Sequence, residues 1–219
     1  DINNYESLTA SIAERTGFPV ISVEYRLAPE NPFPKGLEDC LHSAKWATHT
    51  ASQWLGRPVQ GFIPMGDSAG GNLAAVVVQE LHKTVPIVAQ VLLYPVTDLA
   101  RDHASRTKFG SGYLLEQREM EFFASCYLGE NTDMKDPRIS PIYGQGLSTL
   151  PKTIIVVAEY DPLHDEGLAY AAALKSAGVE VKIRDEADLI HGFYNLRGAL
   201  PLADKKLDAL CTDITEAIA

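Results

Sequence analysis

The segment GDSAGG, residues 66–71, places a serine between glycines where a short apolar run meets a helical run. It matches the pattern G-x-S-x-G, in which a sharp strand-to-helix turn lifts a serine hydroxyl clear of the backbone. The flanking glycines are expected to leave room for a strained turn that neighbouring Cβ atoms would block. The pattern therefore predicts Ser68 as a nucleophile, and a purely structural glycine-rich helix entry is the alternative.

A serine nucleophile needs a base, and in this arrangement the acid and then the base follow the serine along the chain. Only His191, in DLIHGFYN, follows the last predicted strand and precedes the last helix. The other histidines precede the serine, lie in the helix after it, or lie in earlier loops: His42, His49, His82, His103 and His164. The spacing therefore predicts His191 as the general base.

An acid must orient the imidazole, and Asp161 directly follows the apolar run VVAEY, where a buried strand is expected to end. Asp98, after LLYPVT, is a weaker rival. Four further acids fit less well, two because they lie in the first turn of a helix and two because they come too soon before the histidine: Asp165 and Glu166, then Asp185 and Asp188. The amide of Ala69, at the predicted helix start, is expected to donate to a developing oxyanion.

Strands that alternate with helices must position these side chains. Apolar runs predict strands at residues 18–25, 61–65, 86–95, 152–160 and 179–183, although Pro64 argues against a regular central strand there. Helical patterns cover residues 5–17, 69–81, 114–129 and 165–178, with further helices after Pro34 and at the chain's end. Continuous apolar strands between helices indicate an α/β fold whose mostly parallel sheet carries helices on both faces.

Residues 99–150 interrupt this alternation with a polar segment that holds one predicted helix. We interpret residues 1–219 as a single domain and residues 99–150 as a partly helical, cap-like insertion in it. The aromatic side chains of the insertion's helix are expected to form its buried face: Phe122, Phe123 and Tyr127.

The composition is that of a soluble globular protein, with 46% hydrophobic and 22% charged residues. A net charge of −10 argues against nucleic-acid and anionic-membrane partners. No apolar run is long enough for a transmembrane helix. The cysteines Cys40, Cys126 and Cys211 are odd in number and far apart, so they predict neither a disulfide framework nor a metal site and favour the cytoplasm. The oligomeric state stays open, and a homo-oligomer is one option.

Several segments together resemble the hormone-sensitive-lipase-like family of bacterial carboxylesterases, which has the α/β-hydrolase fold: VEYRLAPENPFP, GDSAGGNLAA, LLYPVTD, SPIYG, AEYDPLHDEG and HGFYN. The resemblance implies Ser68 as nucleophile, Asp161 as triad acid and His191 as base, beneath a helical cap. It implies hydrolysis of short-to-medium acyl esters, small-molecule substrates and no cofactor or metal.

The resemblance has one departure. The family carries a His-Gly-Gly-Gly motif shortly before the helix that corresponds to residues 4–16, and the loop of that motif supplies amides to the oxyanion hole. These 219 residues do not contain the motif. We therefore expect a chain shortened at its N-terminus, without the family's first strands and N-terminal cap, and with weak or no activity unless the loop is supplied.

The surroundings of the site leave alternatives open. Asp67 could orient the elbow or line the entrance, and Phe193 and Tyr194 could line a pocket or simply pack. A non-catalytic small-molecule-binding protein on the same fold is the alternative function, and the retained His191 favours an enzyme. A peptidase or acyltransferase is a weaker option.

Overall fold

The computed structural model describes residues 2–129 and 132–218, so both ends of the proposed domain 1–219 and positions 130–131 of the proposed insertion lie outside the described residues. The strands are β1 Met65–Asp67, β2 Ala89–Leu93, β3 Lys152–Tyr160 and β4 Val181–Ile190. The helices are α1 Glu6–Thr16, α2 Lys35–Leu55, α3 Ala69–Leu81, α4 Ala104–Lys108, α5 Gln117–Tyr127, α6 His164–Ser176 and α7 Pro201–Ala217. Chain contacts divide these elements into two compact units, residues 2–24 with 192–218, and Tyr25–His191.

The larger unit, Tyr25–His191, contains a parallel sheet with the strand order β1-β2-β3-β4. The central strands are continuous apolar runs, and every residue of β2 is buried. β1 begins one residue after Pro64, whose ring removes a ladder donor but whose carbonyl still accepts the N–H of Val91. The parallel α/β architecture predicted from the alternation of strands and helices is confirmed.

Helix α3 lies at the centre of this unit because it is apolar around most of its circumference. Ala74, Ala75 and Val78 pack in a cluster with residues of β2, β3 and α6. Leu73 and Val76 belong to a second cluster with Leu37 of α2. The helix that follows Ser68 is therefore fixed on two faces.

The smaller unit pairs α1 with α7 through apolar side chains: Leu8 and Ile12 of α1 and Leu207, Leu210 and Ile214 of α7 are all buried. Arg15 adds ion pairs at 2.6 Å to Asp204 and at 2.9 Å to Asp208. Gly17 ends α1 in the left-handed conformation that favours glycine.

The predicted strand at Phe18–Tyr25 is wrong. This segment, all of it described, has no secondary structure, and Val20, Ile21 and Val23 are between 37% and 43% exposed. A strand is held by ladder hydrogen bonds from a neighbour, and none of the ladders in the described residues includes this segment. Apolar composition alone therefore gave a misleading signal.

The segment 99–150 contains α4 and α5 and short 3-10 helices at Pro141–Tyr143 and Leu147–Thr149. The expectation that its aromatic residues are buried is wrong for Phe122 and Phe123, which are 63% and 57% exposed. Tyr127 is half-buried, and its ring meets Phe33 edge-on at 5.8 Å. Because α5 buries none of its residues, periodicity correctly predicted the helix but not the face that packs.

Candidate active site

The three residues predicted to act together each lie at the carboxyl end of a strand. Ser68 follows the last residue of β1, Asp161 the last residue of β3, and His191 the last residue of β4. Parallel strands end at one edge of a sheet, and the register pairs Tyr160 with Ile190. The residues after that pair, Asp161 and His191, are consequently neighbours.

Ser68 occupies a sharp turn between β1 and α3. Its backbone has φ 54° and ψ −118°, a strained conformation for a residue with a side chain. Its N–H donates to the carbonyl of Leu93 at 2.9 Å, and its carbonyl accepts the N–H of Asn72 at 3.1 Å. The turn is thus tied both to the neighbouring strand and to the helix that follows.

The glycines of this turn are not equivalent. A Cβ on Gly66 would overlap the backbone of Gly70, and a Cβ on Gly71 would come within 2.9 Å of Pro95. A Cβ on Gly70 would have only the carboxylate of Asp67 near it, at 3.8 Å. We expected that a Cβ atom could fit at neither of the glycines flanking the serine. This expectation holds for Gly66 and is wrong for Gly70.

The side chains of Ser68, His191 and Asp161 form a continuous hydrogen-bonded chain. Oγ of Ser68 lies 2.9 Å from Nε2 of His191, and Nδ1 of His191 lies 2.7 Å from Oδ2 of Asp161. With its proton on Nδ1, the imidazole donates a hydrogen bond to the carboxylate, and its Nε2 accepts one from the serine hydroxyl. Asp161 is fully buried and His191 is 8% exposed, so the hydrogen bond between these two side chains is largely shielded from water.

An irregularity in the β3–β4 ladder sets the position of His191. Ala158 pairs with Glu186, but Tyr160 pairs with Ile190, so β4 carries two extra residues over this stretch. Asp188 lies in this bulge with φ 61°, and its N–H donates to Oε2 of Glu159 at 2.9 Å. Without the bulge, Asp161 would face Leu189, and His191 would lie two residues further along.

Tyr94 is a neighbour of the site that the sequence did not reveal. Its ring meets that of His191 at 4.9 Å between centroids and 60° between planes, and the residue is 1% exposed. Its backbone has φ 35°, which a tyrosine rarely adopts. Its position directly after β2, the strand beside β1, is the one sequence signal that could have indicated it.

The remaining predicted site residues have different settings. Ala69 is the first residue of α3, so its amide lies at the positive end of the helix dipole. The residue is exposed. Asp67 is the last residue of β1. The pKa of Tyr25 is raised mainly by burial, and the charges of Cys40 and Asp67 raise it further. Phe193 and Tyr194 are fully buried in a short 3-10 helix, with ring centroids 4.2 Å apart. A pocket role for these residues stays a prediction.

The rival acids take part in other contacts. Asp98 accepts from the hydroxyl of Tyr143 at 3.1 Å, and its Oδ2 lies 3.3 Å from Nε2 of His103. Glu166 pairs with Arg106 at 2.6 Å. Asp165 and Asp185 both contact the ring of His164.

Residues 2–129 and 132–218 contain neither a membrane-spanning helix nor a metal-binding cluster. No helix in these ranges combines the length and apolar character needed to cross a membrane. Among the same residues, no group of three or more His, Cys, Asp and Glu side chains could hold a metal ion.

Comparisons with known proteins place the chain in a family. The family described as alpha/beta hydrolase fold matches residues 1–195. The chain is 37% identical to ethyl acetate hydrolase of Pseudomonas putida and 40% identical to carboxylic ester hydrolase LipN of Mycobacterium tuberculosis, over 94% and 90% of its own length. It spans 65% and 54% of the lengths of these two relatives.

Solved structures give the same result. The hyperthermophilic esterase from the archaeon Pyrobaculum calidifontis superposes with a TM-score of 0.92 at 34% identity, over 98% of this chain and 72% of that one. Together with the strand-end arrangement of the serine, aspartate and histidine, these similarities show that the chain belongs to the hormone-sensitive-lipase-like family of the α/β-hydrolase fold.

Proposed function

We propose that this chain carries the catalytic centre of a carboxylic-ester hydrolase in which Ser68 is the nucleophile, His191 the general base and Asp161 the orienting acid. The observation that carries the proposal is the hydrogen-bonded chain itself, at 2.9 Å from Ser68 to His191 and 2.7 Å from His191 to Asp161. A serine next to a base, which is in turn oriented by an acid, is the arrangement that activates a hydroxyl for acyl transfer.

The reaction has two halves. Ser68 Oγ attacks the ester carbonyl while Nε2 of His191 takes its proton, and Asp161 stabilises the imidazolium that forms. The amide of Ala69 donates to the oxyanion. The alcohol leaves after His191 returns the proton to it. Water, deprotonated by the same nitrogen, then attacks the acyl-enzyme and releases the acid and the free serine.

For substrates we propose esters with short-to-medium acyl chains. The names of the related proteins support an ester rather than an amide, and ethyl acetate hydrolase of Pseudomonas putida supports a short acyl group. Hydrolysis of p-nitrophenyl acetate, butyrate, octanoate and palmitate, compared by kcat/KM, tests this preference. A rate that increases steadily up to palmitate would contradict it.

Labelling with a fluorophosphonate tests the nucleophile without requiring turnover of an ester. We expect modification of Ser68, located by peptide mass spectrometry, and loss of labelling in Ser68→Ala. Ser125→Ala is a matched control, because Ser125 is exposed on α5 and its hydroxyl donates to the carbonyl of Phe122. A folded chain that is not labelled, yet binds esters, would instead favour the non-catalytic binding protein.

The setting of the protein is a further part of the proposal. The separated free cysteines Cys40, Cys126 and Cys211 support a reducing, cytoplasmic compartment, and the net charge of −10 supports small-molecule rather than nucleic-acid or membrane partners. Homo-oligomerisation stays a prediction that sedimentation velocity would decide.

A further inference from the structure

The ring of His164 lies between carboxylates of two different elements. Nδ1 is 3.0 Å from Oδ1 of Asp165, in the first turn of α6, and Nε2 is 3.2 Å from Oδ1 of Asp185, in β4. A neutral imidazole has one N–H and can donate to only one of them, whereas an imidazolium donates to both. The geometry therefore fits the charged ring.

The electrostatics agree with this geometry. Burial lowers the pKa of His164, but the hydrogen bonds to Asp165 and Asp185 outweigh it and hold the pKa above its usual value of 6.5. Burial likewise opposes ionisation of Asp165, but hydrogen bonds from His164 and from the amide of Ser105, together with charge attraction from His164 and His103, lower its pKa. These are the titratable groups that act on the pair from α6, β4 and the start of α4.

The position of His164 connects it to the proposed triad. The acid loop, residues 161–165, carries Asp161, and the N–H of His164 donates to the carbonyl of Asp161 at 3.1 Å. The side chain of His164 reaches β4, the strand that leads directly into His191. It therefore links the loop that holds the acid to the strand that holds the base.

A second link holds the acid loop from another side. The hydroxyl of Ser105 donates to the carbonyl of Pro162 at 2.8 Å, and its N–H donates to Oδ2 of Asp165 at 2.8 Å. Oδ1 of the same Asp165 faces His164. Asp165 thus contacts both Ser105 and His164, and of these residues His164 is the one whose side chain contacts β4.

We propose that His164, as an imidazolium, is a positioning residue that ties the acid loop to β4 and so holds Asp161 against His191. The proposal rests on the proposed ester hydrolysis for its catalytic consequence. Loss of the His164 proton removes one of the ring's two hydrogen bonds to carboxylates and leaves a nitrogen lone pair facing a carboxylate. The link is therefore complete below the ordinary histidine pKa of 6.5 and weakens as the pH rises through the raised pKa of the folded protein.

The test compares His164→Gln with His164→Arg, because a guanidinium keeps its charge and donates in two directions at any relevant pH. His82→Gln is the matched control, since His82 contacts the hydroxyl of Thr149 at 2.8 Å and has no carboxylate hydrogen-bond partner within the described residues. Asp185→Asn removes the link from the β4 side and serves if His164→Gln does not fold.

In steady-state kinetics we expect His164→Gln to lower kcat by about two- to fivefold with KM unchanged, the effect of one partly exposed ionic link. His164→Arg should keep the wild-type kcat, and its kcat should not fall over the pH range in which His164 of the wild type loses its proton. His82→Gln should match the wild type. Equal kcat values and equal pH profiles for all four proteins would overturn the proposal.

Two further measurements do not depend on turnover and so separate this proposal from the proposed function. In proton NMR, the signal of the proton between His191 and Asp161 should exchange faster in His164→Gln than in the wild type. The unfolding temperature of His164→Gln should lie about 2–4 °C below that of the wild type near pH 6, and the gap should shrink as the pH rises through the raised pKa of His164 in the folded protein. An unchanged proton signal, or a temperature gap that does not vary with pH, would refute the link even in a protein that hydrolyses no ester.

Discussion

Asp161 divides its carboxylate between His191 and its own loop. Oδ2 lies 2.7 Å from Nδ1 of His191, and Oδ1 accepts the N–H of Leu163 at 2.8 Å. Because a backbone amide holds one oxygen, the carboxylate cannot rotate freely, and the other oxygen stays directed at the imidazole. A short local turn thereby fixes the orientation of a side chain that is fully buried.

This division makes Asp161→Asn a sharp test. The amide oxygen of asparagine should keep the bond to the N–H of Leu163, so its NH2 group would face Nδ1 of His191. The imidazole would then carry its proton on Nε2 and could not accept one from Ser68. We expect kcat/KM to fall by about 10³–10⁴-fold with little change in stability. Asp102→Asn, at an exposed position, is the control, and a loss under about tenfold at Asp161 would argue against its role.

The two glycines that flank Ser68 should respond differently to alanine. In Gly66→Ala the new Cβ would overlap the backbone of Gly70, and neither segment can move without disturbing the turn. We expect a loss of at least about 2 kcal/mol in the free energy of unfolding. Gly70→Ala meets only an ordinary contact and adds a better helix former to α3, so its stability should be unchanged or higher by up to about 1 kcal/mol. Urea unfolding of both variants decides, and equal losses would contradict this account.

The bulge in β4 provides a prediction about alignment. Glu159→Ala removes the acceptor for the N–H of Asp188, so the bulge should loosen and His191 should be less well aligned with Asp161. We expect kcat to fall by about three- to tenfold, the range of one ordinary hydrogen bond, with KM unchanged. Asp188→Gly keeps the backbone N–H and relieves the left-handed strain at φ 61°, so it should retain the wild-type kcat. Crystal structures of the two variants would locate the imidazole directly.

The sequence indicated the residues that gather at the strand ends because the signal for each is local. Asp161 directly follows the apolar run of β3, Ser68 was indicated by the G-x-S-x-G pattern, and His191 by its place between the last predicted strand and the last helix. The predicted strand 179–183 stopped seven residues before the end of β4, because residues 184–190 are not a continuous apolar run. The bulge is different, since its two extra residues are visible only once β4 is paired with β3. Tyr94 was missed for a similar reason, because its contact with His191 joins residues that lie 97 positions apart in numbering.

The errors have a common cause as well. Residues 18–25 and the aromatic residues of α5 are apolar enough to predict burial, but burial depends on what a segment packs against. Phe122 and Phe123 lie on a helix that buries none of its residues, and Val20 and Ile21 belong to a segment outside the described ladders. Composition predicts that a surface is apolar, and only tertiary contacts decide whether it is covered.

A buried ion pair lies beside the loop that follows β2. Oε2 of Glu166 lies 2.6 Å from Nη2 of Arg106, and Oε1 accepts the N–H of Thr97 at 2.8 Å. Arg106 also donates to the carbonyl of Asp98 at 2.6 Å. Burial raises the pKa of Glu166, while the Arg106 guanidinium opposes that shift and keeps the charged carboxylate tolerable inside the protein.

Removing only the cation should therefore be worse than removing both charges. Arg106→Met leaves Glu166 buried without a partner, and we expect it to cost about 3–5 kcal/mol near pH 8. In Arg106→Met the pKa of Glu166 would rise further. A carboxyl whose pKa is raised by folding stabilises the folded protein fully below its ordinary pKa of 4.5, and this stability is lost as the pH rises through the pKa of the folded state. The loss should consequently be smaller near pH 5 than near pH 8. Arg106→Met combined with Glu166→Gln has no buried charge, so it should recover part of the stability and lose this pH dependence. Urea unfolding at both pH values measures the difference, and a single variant as stable as the double one at pH 8 would show that Arg106 does not compensate the charge of Glu166.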